Sequence, residues 1–128
     1  MSLKPKKRQS LEEILQSVSD NLFPEKLGKK KVKINSADCM GDTPLHVMTW
    51  RNDVYAVKLL IESGAKLNAI GDMSETPLHV AVGQENINTI EILLKAGAKS
   101  NLKSEFGETA LERAEKKGGE IARIFKKY

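Results

Sequence analysis

The sequence predicts an all-α solenoid of stacked helical units, sealed at its front by an N-terminal capping helix. Three observations predict it. Thr43-Pro44-Leu45-His46 recurs as Thr76-Pro77-Leu78-His79, and the same step reaches Thr109-Ala110-Leu111-Glu112. The register extends beyond the tetrapeptide: Lys33, Lys66 and Lys99 align, as do Asn35, Asn68 and Asn101, Val57 and Ile90, and Gly64-Ala65 and Gly97-Ala98. Leu59-Leu60-Ile61 and Ile92-Leu93-Leu94 carry apolar stripes at helical spacing. A period of this length marks units that cannot bury an apolar face alone and stack to share one.

Residues 1–9 form a basic tail containing Lys4-Pro5-Lys6-Lys7-Arg8. Ser10 and Glu13 then make a capping box. Leu11, Ile14, Leu15 and Val18 follow helical spacing, so this helix covers the open flank of the first unit rather than docking a partner. Leu22, Phe23 and Leu27 anchor the next segment, which Pro24 and Gly28 mark as loop. Val32-Lys33-Ile34-Asn35 matches Ala65-Lys66-Leu67-Asn68, so residues 10–37 read as a cap and a degraded repeat with an insert at 21–31.

Each full unit reads as turn, helix, tight turn, helix. Thr43 and Thr76 cap the first helix, with Pro44 and Pro77 at its first position, where no N–H is missed. His46 falls at the third position, placed to reach back to Thr43. Thr109 and Glu112 make a capping box in the third unit. Asp53 and Asn86 cap the second helices, and Gly64 and Gly97 stop them. Glu91 and Lys95, four apart, add a surface pair.

Gly41-Asp42-Thr43-Pro44-Leu45-His46 and the Leu-Leu…Gly-Ala endings resemble ankyrin repeats. The resemblance covers about residues 36–128, divided as 38–70, 71–103 and a C-terminal cap at 104–128. It implies β-turn tips that project in front of stacked helix pairs. The chain departs from the pattern in places. Met48-Thr49 stands where small residues are usual, and Asn52 and Glu85 replace the glycine between helices. Asparagine tolerates positive φ better than glutamate does. The third unit keeps Gly118 but has lost the proline and histidine. Its last helix has a polar side, Arg123, Lys126 and Lys127, as a terminal cap requires.

Composition and motifs narrow the function. The 128 residues carry 21 basic and 17 acidic side chains, a net charge of +4, which is modest for a nucleic-acid binder. No apolar run approaches a membrane span, and no apolar signal core precedes Ser10. With one cysteine, Cys39, these features point to a cytoplasmic protein. No catalytic constellation, cofactor motif or metal-ligand cluster stands out. His46 and His79 occupy one structural slot in successive units, which argues for a helix-start bond. An enzyme is therefore not expected.

The expectation is protein binding through the turn tips and the concave face. Met40, Met73 and Phe106 share one register position and would form an apolar ridge. Asp42, Glu75 and Glu108 form a parallel acidic row, with Asp72 and Glu105 beside it. Trp50, Arg51 and Gln84 end the first helices, where ankyrin proteins often contact partners. Aromatic, Met and Arg side chains are enriched at interfaces. The expected partner is a protein with basic and apolar surface, bound by a chain that is a monomer on its own, acting as an adaptor or inhibitor. An alternative, by resemblance to small bacterial ankyrin proteins, is an immunity protein against a basic nuclease-like toxin. A nucleic-acid reading through the basic ends ranks below both, and a small-molecule substrate is not expected.

Overall fold

The computed structural model describes residues 9–24 and 31–128. The basic stretch Lys4–Arg8, Leu27 and Gly28 lie outside the described residues. The architecture is the predicted helical stack. Helix α1 (Leu11–Ser17) and α2 (Ser19–Leu22) form the front. Three helix pairs follow: α3 (Pro44–Arg51) with α4 (Val54–Glu62), α5 (Pro77–Gly83) with α6 (Ile87–Lys95), and α7 (Ala110–Lys117) with α8 (Gly119–Lys126). The first helices stack as one layer, α3 on α5 on α7. The second helices stack as another, with α1 continuing the row onto α4, then α6 and α8.

Local chemistry sets the boundaries. Ser10, Thr43, Thr76 and Thr109 each accept a hydrogen bond from the third helical N–H, and each is answered by the side chain there: Glu13, His46, His79 and Glu112. Asp53 accepts from Ala56 N–H. Asn86 departs from expectation: its side chain makes no cap and turns its amide to the Thr49 carbonyl at 3.5 Å. Glu91 also departs, since its carboxylate accepts from the Tyr128 hydroxyl rather than pairing with Lys95.

The core runs between the two layers. Leu45, Val57, Leu60, Leu78, Val82, Ile90 and Leu93 are fully buried, and Ile14, Val18 and Leu22 extend that core under the front helices. Met48 and Thr49 are also fully buried. The Thr49 hydroxyl finds no hydrogen-bond partner among the described residues. Ile121, Ile124 and Phe125 close the far end, leaving Arg123, Lys126 and Lys127 exposed.

Bonds between units use the same atoms repeatedly. Asn35 Oδ1 accepts from Lys66 N–H at 3.0 Å, and Asn68 Oδ1 from Lys99 N–H at 2.8 Å. This explains the aligned Asn35 and Asn68, each of which holds the backbone of the next unit; the lysines contribute only their N–H.

Candidate functional site

The tips stand in front of the first helices. Unit one turns at Asp38–Asp42, unit two at Gly71–Glu75 and unit three at Ser104–Glu108. Each is closed by a backbone bond from its first residue's N–H to its last residue's carbonyl: Asp38 to Asp42, Gly71 to Glu75 and Ser104 to Glu108. At the second position of each apex pair lie Gly41 (φ 93°), Ser74 (φ 57°) and Gly107 (φ 76°). Glycine occupies this left-handed position freely; Ser74 does so at a cost. Gly71 is fixed by close approach, because a Cβ there would fall 2.1 Å from Asp42 Oδ1.

The ridge residues all face solvent. Met40 is 56% exposed, Met73 48% and Phe106 71%. Trp50 is 64% exposed at the end of α3, so it does not bury itself against the front helices. Gln84 and Glu105 are exposed too.

The acidic row is less free than its register suggests. Asp42 Oδ1 accepts from Asp72 N–H at 2.9 Å, tying the first tip to the second. Glu75 and Glu108 both hold Arg113. The Arg113 guanidinium meets Glu75 Oε2 through Nη2 at 2.8 Å and Glu108 Oε1 through Nε at 2.8 Å, while Nη1 donates to the His79 carbonyl. Lys116 adds a second ion pair to Glu108. These carboxylates, expected to be free for a partner, are neutralised inside the array. Arg51 is similarly occupied: it reaches the Asn21 side chain and the Ser17 carbonyl, pinning the front helices to α3.

Hydrogen bonding from Lys116 and then Arg113 holds the Glu108 carboxyl down at about 2. The same bonds raise Arg113, chiefly through Glu75, and Lys116, through Glu108. Burial pushes the His46 imidazole below its ordinary value, opposed in part by the Glu75 carbonyl and by the Asp42 and Asp38 carboxylates.

Both histidines are spent on structure. Thr43 N–H donates to His46 Nδ1 at 3.1 Å, and His46 Nε2 lies 2.9 Å from the Glu75 carbonyl of the next tip. His79 repeats this with Thr76 and the Glu108 carbonyl. An acceptor at Nδ1 pairs with a donor at Nε2, so each ring bridges its own helix start to the next unit. That inter-unit bond is invisible in a single repeat. Among the described residues, no three His, Cys, Asp or Glu gather as metal ligands.

Residues 46–94 match the family described as ankyrin repeats (many copies). Over that stretch the chain is similar to ankyrin repeats, and its helical stack is of the ankyrin type. A search of curated proteins gives no match. Ankyrin repeats generally mediate protein–protein interaction, which directs attention to the concave side, where first helices and tips meet. There the ankyrin array has an open groove of about 250 Å³ at the first unit. Leu22, Val47 and Val80 give it apolar walls, and Trp50, Arg51, Asp38, Asp42 and His46 complete its lining. Asp38, Val47 and Val80 were not singled out by sequence. Register could have found the valines, because Val47 and Val80 align with Arg113 and so mark the inner row of the ankyrin helices. Among the described residues, no helix is long and apolar enough to cross a membrane.

Proposed function

We propose that this ankyrin array holds a protein partner across its tips and concave face, as an adaptor or inhibitor that works by occupying the partner's surface. One observation carries the reading. Three large apolar side chains, Met40, Met73 and Phe106, recur at one repeat position and stay exposed, while Leu45 and Leu78 behind them are fully buried. An aligned set of exposed apolar groups is informative where one alone is not. Methionine adapts to varied shapes, and an aromatic side chain anchors. Hydrogen bonds fix the tips before binding, so little ordering cost opposes association.

The partner's charge follows from which acids are neutralised. Glu75 of the second tip and Glu108 of the third surround Arg113, so their charge is largely neutralised and Glu105 is the third tip's remaining acid. Asp38, Asp42 and Asp72 at the first two tips have no ion pair among the described residues. A basic feature of the partner is therefore read chiefly at the first two tips, where three acids stand against Glu105 at the third, and an apolar feature along the array.

The test is affinity capture from the native cell, quantified by mass spectrometry. The baits are the natural chain and a Met40→Ala/Met73→Ala/Phe106→Ala variant with an unchanged melting temperature. We expect the variant to lose about tenfold or more of the captured partner, the scale of interface anchor losses. Equal recovery with both baits would overturn the reading.

A further inference from the structure

We propose that the groove at the first unit is a seat for one arginine side chain of the partner. This rests on the reading that the concave side faces a protein. The groove, about 250 Å³, is smaller than the roughly 300–1,000 Å³ of sites for small-molecule ligands. It suits a single long side chain. Its walls match an arginine in two ways. Leu22, Val47 and Val80 give apolar surface for the methylene stem, and the exposed Trp50 offers an indole face to the guanidinium.

Charge supplies the second match. Asp38 and Asp42 line the same groove as Trp50. Asp38 Oδ1 accepts from Met40 and Asp42 N–H, and Asp42 Oδ1 accepts from Asp72 N–H. These bonds hold each carboxylate in place through Oδ1. A carboxylate has about four acceptor sites, so both retain capacity for a planar fork of donors. Neither carboxylate is in an ion pair among the described residues. Arg51 also lines the groove, but its guanidinium is directed to Ser17 and Asn21. Two carboxylates stand against that one cation. Arginine fits better than lysine, because only a planar guanidinium both stacks on the indole and forks onto carboxylates.

The test uses a short peptide, acetyl-Leu-Arg-Leu-amide, titrated at low salt into the full chain. Binding is followed by amide shifts at His46, Val47 and Val80 and by the fluorescence of Trp50, the only tryptophan in the sequence. We expect saturable changes at those sites. A citrulline-containing peptide, of nearly equal shape but uncharged, should bind about fivefold or more weakly, as loss of an exposed cation–π contact implies. Asp38→Asn/Asp42→Asn keeps the Oδ1 acceptors yet removes the charge, and should weaken binding similarly. Equal binding of the citrulline peptide, or no saturable response, would overturn the proposal. So would the same shifts appearing on raising protein concentration alone, which would mean a second copy fills the groove. Met73→Ala/Phe106→Ala leaves the groove intact and should leave the peptide response unchanged. A positive titration with unaffected partner capture therefore counts against the ridge alone, and the reverse result against the groove alone.

Discussion

Ser74 shows what a single residue decides in a repeated frame. It stands where the other tips have Gly41 and Gly107 and shares their positive φ, at 57° against 93° and 76°, while in this tip the preceding Met73 is left-handed as well. Glu85 does likewise between α5 and α6, at the register of Gly118. The frame imposes the angle and the residue bears the cost, since a side chain in this region crowds the backbone by ~1–2 kcal/mol. Glycine also widens the unfolded ensemble, which offsets part of the gain. We expect Ser74→Gly and Glu85→Gly each to raise unfolding free energy by about 0.5–1 kcal/mol, read from denaturant midpoints. A loss at either site would show that the serine or glutamate makes bonds worth more than the angle. The Glu85 difficulty was legible in sequence because the missing glycine could be named. Ser74 was not, because tip conformation depends on a register visible only once the three turns are superposed.

At the scale of elements, the joints between units carry the account. The His46 ring joins α3 to the second tip as a neutral donor. Its folded value lies below the ordinary 6.5, so the unfolded chain binds the proton more readily. The stability it contributes is complete above about pH 6.5 and is lost as pH falls below it. We expect the urea midpoint to decline between pH 7 and pH 5, and His46→Gln to be less stable at pH 7 but to decline less. Parallel declines would refute this role. Arg113 is the corresponding joint at the far end, binding α7 to the second and third tips. Arg113→Gln should cost about 1–3 kcal/mol, below the range for fully buried pairs because the site is partly exposed. With Glu108 held at about 2, the folded state binds fewer protons there than the unfolded one. Its contribution is whole above the ordinary 4.5 and fades as pH falls toward 2, so the gap between natural chain and variant should narrow over that interval. An unchanged gap at pH 2 would contradict the pairing. Neither joint could be read from one unit. The capping of Thr43 by His46 is local and was legible; the reach of His46 to Glu75, and of Arg113 to Glu75, spans neighbouring units. Arg113 did leave a trace, as a charge in a row otherwise held by Val47 and Val80.

For the whole molecule, the period predicts the stack and the stack places the surface. Apolar residues shared between neighbours, such as Leu60, Leu78 and Leu93, were legible because burial in a solenoid follows the repeat. That Met40, Met73 and Phe106 share one exposed tip position was legible for the same reason. The groove was not, since it draws on α2, the first tip and two inner helices at once. The acidic row was over-read: register shows which carboxylates align, and only packing shows which are already paired. Hydrogen exchange on the chain with its captured partner tests binding across the tips. Such binding should add protection at 38–42, 71–75 and 104–108 together, with the outer helices α4 and α6 unchanged. Protection confined to α4 and α6, with all three tips exchanging as in the free chain, would contradict it.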